Sequence, residues 1–268
     1  MKLMRNQAPR AVGLARALSK LGYCSRSKAA ELIRGGHVEL NGSLRRDPES
    51  PVELVRDRIS VDGRVIEAQQ KIYLMMNKPR GLVTTASDER GRETVYSLFG
   101  DAVEMPWVTP VGRLDKASEG LLLLTNDSEW GAGIASPEAH IEKTYHVQIA
   151  TVADERVMNS LTGGVRTEDG EFLGVARVRM IRAGEKNCWL EIVLDEGKNR
   201  HIRRMLQALG IEVLRLVRVA IGPLELGDLP KGSYRPLTIE EKQRLDHAMR
   251  KPQATKSKVR HARPRGRL

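Results

Sequence analysis

The sequence has few aromatic residues, few cysteines and no long apolar run. Phenylalanine, tryptophan and tyrosine make up only 4% of the chain, which argues against a broad aromatic platform for stacking nucleic-acid bases. The two cysteines, Cys24 and Cys188, lie far apart and form no CxxC pair, and the histidines show no HExxH spacing. We therefore expect neither a disulfide framework nor a metal site, which is typical of a reducing cytoplasm. No apolar run approaches the roughly 20 residues of a membrane span, and no signal-peptide core follows Met1.

Positive charge is what the sequence has in excess. Lysine and arginine number 45 against 34 acidic residues, for a net charge of +11. Such a charge attracts a polyanion, which could be nucleic acid or an acidic membrane surface. Without a span or a signal segment, nucleic acid is the favoured partner, and we expect a cytoplasmic protein with no membrane association.

Both ends of the chain differ in composition from the middle. Residues 1–11 are polar and basic and are predicted to be flexible. Residues 247–268 contain no acidic residue, many arginines and lysines and no apolar periodicity, so we predict a disordered basic tail. Such a tail could simply aid solubility, but on a basic protein it favours non-specific phosphate contacts.

Residues 12–68 are predicted to form a helix-helix-hairpin module. The signals are an apolar helix face at Leu14, Leu18 and Leu21, an N-cap at Ser25 for a second helix over 26–34, and hairpin turns at Asn41-Gly42 and Asp62-Gly63.

The second helix of this module begins with two cations. Arg26 and Lys28 occupy its first turn, where the helix dipole disfavours positive charge. The arrangement could be a solvated helix end, but in a basic protein it favours a phosphate site. The run over residues 14–42 resembles the S4 RNA-binding domain, and this resemblance implies RNA binding through that helix.

Residues 71–246 are predicted to form an α+β domain with a mixed, mainly antiparallel sheet flanked by helices, because strands outnumber helices and short turns join many of them. Predicted strands cover residues 71–76, 82–85, 142–149, 174–181, 188–194 and 212–221, with a turn over 77–81. Predicted helices cover residues 94–99, 128–135, 154–161 and 199–209, and Thr238 to Glu241 is a capping box for a last helix.

One carboxylate, Asp115, lies unusually close to an apolar segment. It lies between Gly112 and Gly120 and precedes four consecutive leucines that are typical of a strand buried on both faces. An ionised carboxylate there needs a cation or hydrogen bonds. The sequence lacks the second carboxylate of a DxDxT phosphotransferase, a phosphate loop and a GxSxG elbow, so an aspartate-based phosphoester hydrolase is disfavoured.

The helix over 199–209 carries an arginine cluster. Arg200 and Arg204 lie opposite its apolar stripe and suit solvent or phosphate contacts. Arg203 lies at the edge of the stripe, from where it can reach a partly buried carboxylate. Tyr145, in the strand over 142–149, is by pattern alone more typical of packing than of function.

Four segments together identify a family resemblance. GRLDKASEGLLLLTND, EKTY, EGKNRHIRRM and the run from Arg218 to Gly232 resemble the RsuA-type bacterial ribosomal pseudouridine synthases. The resemblance implies isomerisation of uridine in RNA without a cofactor. It implies that Asp115 is the catalytic aspartate, that Arg203 is its basic partner and that Tyr145 stacks on the target base. Ser118 departs from the threonine usual in the family motif.

Further expectations concern the RNA contacts, the substrate and the oligomeric state. RNA contacts are expected from Arg26, Lys28, Arg113, Arg200 and Arg204. The substrate is expected to be ribosomal RNA, more often of the large subunit, either free or in an assembly intermediate, and the protein is expected to be a monomer. Asp115 could attack C1′ or remove a proton at C2′, and the sequence leaves both open. The alternative is an RNA-binding factor with an S4 domain that has lost catalysis.

Overall fold

The computed structural model describes residues 11–85, 88–100 and 106–250. Within these ranges the chain forms an N-terminal domain and a large domain. Residues 1–10 and 251–268, which hold most of the predicted flexible ends, lie outside the described residues. The described helices include none that is long and apolar enough to cross a bilayer.

The N-terminal domain packs two helices against a small antiparallel sheet. Its helices are α1 (Leu14–Lys20) and α2 (Arg26–Gly35), and its strands are β1 (Val12–Gly13), β2 (Val38–Leu40), β3 (Ser43–Arg45), β4 (Pro51–Val52), β5 (Ile59–Val61) and β6 (Arg64–Val65). The strand order is β3-β2-β5-β6, while β1 pairs with β4. The Ser25 hydroxyl accepts from the Lys28 amide at 3.1 Å, which confirms the predicted N-cap. The antiparallel pairs β2–β3 and β5–β6 confirm the two predicted hairpins.

The large domain carries the remaining elements. Its strands are β7 (Tyr73–Lys78), β8 (Thr109–Val111), β9 (Glu119–Thr125), β10 (Lys143–Ile149), β11 (Val165–Arg166), β12 (Phe172–Leu173), β13 (Arg177–Ala183), β14 (Cys188–Leu194), β15 (Val213–Ile221), β16 (Leu224–Glu225) and β17 (Tyr234–Pro236). Its helices are α3 (Ser128–Ala135), α4 (Glu155–Gly163), α5 (His201–Ala208) and α6 (Ile239–Arg250), with 3-10 turns at Val95–Phe99 and Pro137–Ala139.

A large sheet organises this domain. Its main strand order is β13-β14-β10-β15-β9-β7-β17, with β8 on β9 and β16 on β15. Strands β9 and β15 run parallel, whereas the other pairings of this sheet in the described chain are antiparallel. The predicted α+β class with a mixed, mainly antiparallel sheet is confirmed.

Strand β9 is a fully buried inner strand of the sheet, as the leucine run predicts. All seven of its residues are buried. Gly120 lies opposite Arg218 of β15 with φ of +102°, and a Cβ there would lie 2.2 Å from the Arg218 carbonyl oxygen. Only glycine allows the two backbones to approach so closely. The residues just before β9 are thereby fixed at the end of the sheet.

Two predicted elements are wrong. Asn77 and Lys78 belong to β7 rather than to a turn, because the β7–β9 ladder continues through them and the Asn77 side chain donates to the Leu229 carbonyl at 2.7 Å. Residues 82–85 form no strand but a single bridge from Val83 to Thr94. In addition, α6 continues to Arg250, so its last turn lies inside the predicted tail.

The N-terminal domain contacts the large domain through the end of α1. Lys20 pairs with Glu129 of α3 at 2.5 Å, and Lys71 donates to the Lys20 carbonyl at 3.1 Å. The Gln69 amide donates to the Leu21 carbonyl at 3.0 Å. These bonds attach the end of α1 both to the large domain and to the segment that connects the two domains.

Candidate active site

A cavity of about 440 Å³ lies between the end of β9, strands β10 and β15, and helix α5. Asp115, Tyr145 and Arg203, the three predicted catalytic residues, all line it, as do Arg113 and Arg200. Residues that are far apart in sequence are therefore brought to one concave site, which is where a ligand is most often bound.

The Asp115 loop, residues 114–118, is held through its backbone. Each of its carbonyl oxygens accepts a hydrogen bond: Leu114 from Thr84 Oγ1 at 2.8 Å, Asp115 from the Ser118 amide at 2.9 Å, Lys116 from the Gly81 amide at 2.8 Å, Ala117 from Arg203 Nη2 at 3.0 Å, and Ser118 from Lys78 Nζ at 2.9 Å. Four of these donors come from two segments outside the loop, residues 78–84 and helix α5, so the half-buried Asp115 side chain extends from a firmly held backbone.

Lys78 is a fully buried lysine beneath this loop. Its side chain is 0% exposed, and its ammonium donates to the carbonyl oxygens of Pro79, Asp115 and Ser118 at 3.0, 3.3 and 2.9 Å. Burial lowers the pKa of Lys78 to about 8, while the nearby carboxylates of Asp115 and Glu119 oppose that shift. Three carbonyl acceptors match the three donors of an ammonium group.

Arg203 holds the Asp115 loop rather than the Asp115 carboxylate itself. In the described part of the chain no ion pair within 4.0 Å joins these two side chains, and the guanidinium instead donates to the Ala117 carbonyl. Burial lowers the pKa of Arg203, and the charge of nearby Asp115 opposes this. The direct pair expected from sequence is therefore replaced by a contact through the backbone, with the carboxylate close enough to act through its field.

Two exposed arginines lie at the mouth of the cavity. Arg113 precedes the Asp115 loop, and Arg200 precedes α5 with a left-handed φ of +47°. Helix α5 starts at His201, which is later than the predicted start at residue 199. Neither arginine side chain forms an ion pair with a described residue, so both remain open to an anionic ligand.

The family models match both domains. The model described as RNA pseudouridylate synthase matches residues 72–208, and the S4 domain model matches residues 12–59. The chain belongs to the RNA pseudouridylate synthase family. The resemblance seen in the sequence is confirmed, and so is the enzyme class, since pseudouridine synthases are isomerases.

Curated relatives and a solved structure agree with this family. The chain is 38% identical over 233 residues to an uncharacterised RNA pseudouridine synthase of Aquifex aeolicus (87% of this chain, 92% of the relative). It is 34% identical over 235 residues to "ribosomal large subunit pseudouridine synthase B" of Bacillus subtilis (87% and 94%). A crystal structure of a pseudouridylate synthase superimposes with a TM-score of 0.61 at 30% identity, covering 87% of this chain and 99% of that one. An S4 domain in a synthase of this family implies that the protein binds its RNA substrate.

The remaining predicted RNA contacts lie outside the cavity. Arg204 is held by two carboxylates, Glu171 at 2.6 Å and Asp169 at 2.8 Å. Its charge is already neutralised, so it suits phosphate binding less well than Arg200 does. Arg26 and Lys28 lie in the S4 domain, where both side chains are exposed and Lys28 pairs with Glu31 at 3.3 Å.

Sequence reasoning missed three cations of this site. The sequence places Lys78 in a turn, and it places Lys143 and Arg218 in family segments without giving either a role, although both line the cavity. For Lys78 the available signal is its position directly after an apolar run and before proline. Strand cations are otherwise indistinguishable by pattern from residues on a solvated face.

Proposed function

We propose that this synthase isomerises a uridine of ribosomal RNA, more specifically of the large subunit, by cofactor-free catalysis that depends on Asp115. The observation that carries the proposal is the position of Asp115 in the cavity, on a loop whose every carbonyl is hydrogen-bonded. Tyr145 and Arg203 in the same cavity support it. The large-subunit assignment is supported by the name of the Bacillus subtilis relative.

The chemistry requires an ionised carboxylate at a fixed position. Asp115 either attacks C1′ of the target ribose or removes a proton at C2′, and both routes break the N1–C1′ bond. The uracil then turns and bonds to C1′ through C5. Because product and substrate are isomers, the reaction has no net oxidation and adds no group, which is consistent with the proposed cofactor-free route. Tyr145 is proposed to stack on the target base.

The RNA has to present an unstacked uridine to this cavity. Flipping a base costs on the order of a few kcal/mol and is easiest in loops. Phosphate contacts by Arg113 and Arg200 at the cavity mouth would offset that cost. In the S4 domain, a groove of about 670 Å³ is lined by Arg16, Arg26 and Arg34 and is proposed to hold the RNA backbone. We propose a monomer acting in the cytoplasm on rRNA, either free or in an assembly intermediate.

Release of tritium from C5 tests the catalytic proposal. Ribosomal RNA carrying tritium at uridine C5 should lose it to water with the wild-type protein and not with Asp115→Asn. Asp228→Asn, at an exposed site in the same domain, serves as the matched control and should retain full activity. If the wild-type protein releases no tritium from any rRNA, the alternative of a catalytically inactive S4-domain factor is supported instead.

Binding measurements test the role of the S4 domain. The double substitution Arg26→Gln and Lys28→Gln should weaken rRNA binding and reduce its salt dependence, because phosphate contacts release counterions. Arg58→Gln, an exposed arginine of the same domain, serves as the control. Equal affinities for the two variants and the wild-type protein would contradict an RNA contact by α2.

A further inference from the structure

Arg218 lies in a row of residues that crosses three neighbouring strands. Tyr145 of β10 is directly opposite Arg218 of β15, and Arg218 is opposite Gly120 of β9. Side chains of directly opposed residues lie on the same face of a sheet. Arg218 is therefore placed between Tyr145 and the strand that follows the Asp115 loop, and both Tyr145 and Arg218 line the cavity.

The Arg218 side chain is buried and incompletely bonded. It is 5% exposed, and its Nε donates to the Leu121 carbonyl at 2.7 Å. Its Nη2 is buried with no hydrogen-bond partner among the described residues. A buried donor without a partner has lost its bonds to water and destabilises the site. An oxygen atom of a bound ligand would remove this destabilisation.

Lys143 adds a second cation to the same place. It lies two positions before Tyr145 in β10, on the same face of the strand, and it too lines the cavity. Burial and the positive charge of Arg218 lower the pKa of Lys143, while the Asp195 carboxylate opposes this shift. Two like charges held close together in a partly desolvated site favour a ligand that carries negative charge.

The position of the pair indicates which part of the RNA it meets. The target base has to enter the cavity so that its glycosidic bond reaches Asp115, and the phosphates remain outside with the backbone. The exposed Arg113 and Arg200 at the mouth suit those phosphates. The buried Arg218, opposite Tyr145, suits the base itself.

We propose that Arg218 and Lys143 bind a carbonyl oxygen of the target uracil and stabilise the uracil anion that forms when the N1–C1′ bond breaks. This inference rests on the proposed function. When the bond breaks, its electron pair stays on N1, and the negative charge is shared with O2 and O4 of the ring. The ring then turns, C5 bonds to C1′, the C5 proton leaves, and N1 takes up a proton. The two cations would stabilise the uracil anion while the ring rotates.

The test compares uridine with 5-fluorouridine, whose base is a better leaving group than uracil. Fluorine at C5 makes the base more acidic, so its anion needs less stabilisation. The full-length variants Lys143→Met and Arg218→Gln are compared with the exposed-site controls Lys186→Met and Arg156→Gln. Single-turnover consumption of the target nucleoside is measured by chromatography of digested RNA that carries uridine or 5-fluorouridine at the position the wild-type protein modifies.

The expected result is a slower chemical step without weaker RNA binding. Loss of one donor to a developing anion slows a reaction on the order of 100-fold, so each variant should lose at least about tenfold on uridine and clearly less on 5-fluorouridine. RNA affinity should stay within about twofold, because these cations are proposed to act on the base rather than on the backbone. The controls should match the wild-type protein on both RNAs.

Two results would overturn the inference. One is an unchanged rate on uridine for Lys143→Met, and the other is an equal loss on both RNAs. Arg218 also bonds to the Leu121 carbonyl, so Arg218→Gln is checked for folding by thermal unfolding, and Lys143→Met decides the outcome if that variant does not fold. An inactive wild-type protein would instead contradict the proposed function.

Discussion

The Arg203 guanidinium donates to the Ala117 carbonyl oxygen at 3.0 Å across a separation of 86 residues. Through this bond α5 holds the Asp115 loop from one side, while Lys78 holds it from below. The position of the Asp115 carboxylate therefore depends on two side chains that bond to the loop backbone and form no ion pair with the carboxylate in the described structure. Removing either contact should affect catalysis through geometry.

We predict that Arg203→Met slows tritium release on the order of 100-fold, because a misplacement of about 1 Å can cost that much. The affinity for rRNA should be nearly unchanged, since the side chain is half-buried inside the cavity. Arg203→Lys, which can still reach a carbonyl, should retain more activity. Single-turnover tritium release and filter binding measure the two effects, with Arg156→Met as the control. A loss of affinity equal to the loss of rate would contradict this assignment.

We predict that Lys78 gives stability an unusual pH dependence. Its pKa is about 8 in the folded protein against 10.5 for an ordinary lysine, so between these values the unfolded chain binds a proton that the folded chain does not. The free energy of unfolding due to this group therefore rises with pH across that window. Below about pH 8, Lys78 is charged in both states, so the full cost of burying its charge lowers the free energy of unfolding.

Lys78→Met removes this titration while filling similar space. The difference in free energy of unfolding, wild type minus variant, should increase from pH 8 to pH 10.5 in urea titrations made at several pH values. A difference that stays flat or falls over this range would show that folding does not lower the pKa of Lys78.

We predict that Gly120→Ala destabilises the protein far more than Gly112→Ala. Both glycines have positive φ, but a Cβ at Gly112 meets nothing within 4 Å, whereas at Gly120 it overlaps the Arg218 backbone. The conformational cost at Gly112 is about 1–2 kcal/mol. Gly120→Ala should exceed this by separating β9 from β15, as measured by urea unfolding. Similar losses for the two variants would contradict the close approach of these strands.

We predict that Arg113 and Arg200 at the cavity mouth differ in role from Arg204 of α5. Arg200→Gln and Arg113→Gln should each weaken rRNA binding and reduce the slope of log affinity against log salt by about one. Arg204→Gln should leave affinity and slope unchanged and lower thermal stability instead, because it frees Asp169 and Glu171 from their shared cation. Equal effects on affinity for the three variants would support the original expectation that Arg204 binds RNA.

Local patterns were sufficient for most elements. The leucine run of β9, the apolar stripe of α5, the Ser25 and Thr238 caps and the Asn-Gly and Asp-Gly turns each depend on neighbours within a few residues. The Thr238 hydroxyl accepts from the Glu241 amide at 3.1 Å, and the Glu241 carboxylate accepts from the Thr238 amide at 2.8 Å. Such short-range bonds are set by residue type and spacing, so sequence reasoning finds them.

The errors came from long-range contacts. The sequence predicts a turn at Lys78 because a charged residue followed by proline disfavours a buried strand. In the structure the β7–β9 ladder and three carbonyl acceptors keep the Lys78 side chain buried. Periodicity places Arg203 within reach of a carboxylate and Arg204 on the face that suits solvent or phosphate, but it does not identify the atoms that either side chain bonds. Their actual partners, the Ala117 carbonyl and the Asp169 and Glu171 carboxylates, lie on segments that helical periodicity cannot place.

The sequence by itself determined the order of the two domains, the buried character of strand β9, and the position of an isolated aspartate just before that strand. These features follow from residue type, periodicity and turn chemistry. Only the tertiary structure decided how that aspartate is held and what surrounds it. The bonds that do this join residues from 30 to 97 positions apart, and no local pattern specifies which distant carbonyl a buried lysine or arginine will meet. The antiparallel pairing of β10 with β15 places Arg218 beside Tyr145, and the parallel approach of β9 and β15 places Arg218 beside Gly120. Both placements depend on the packing of the whole sheet.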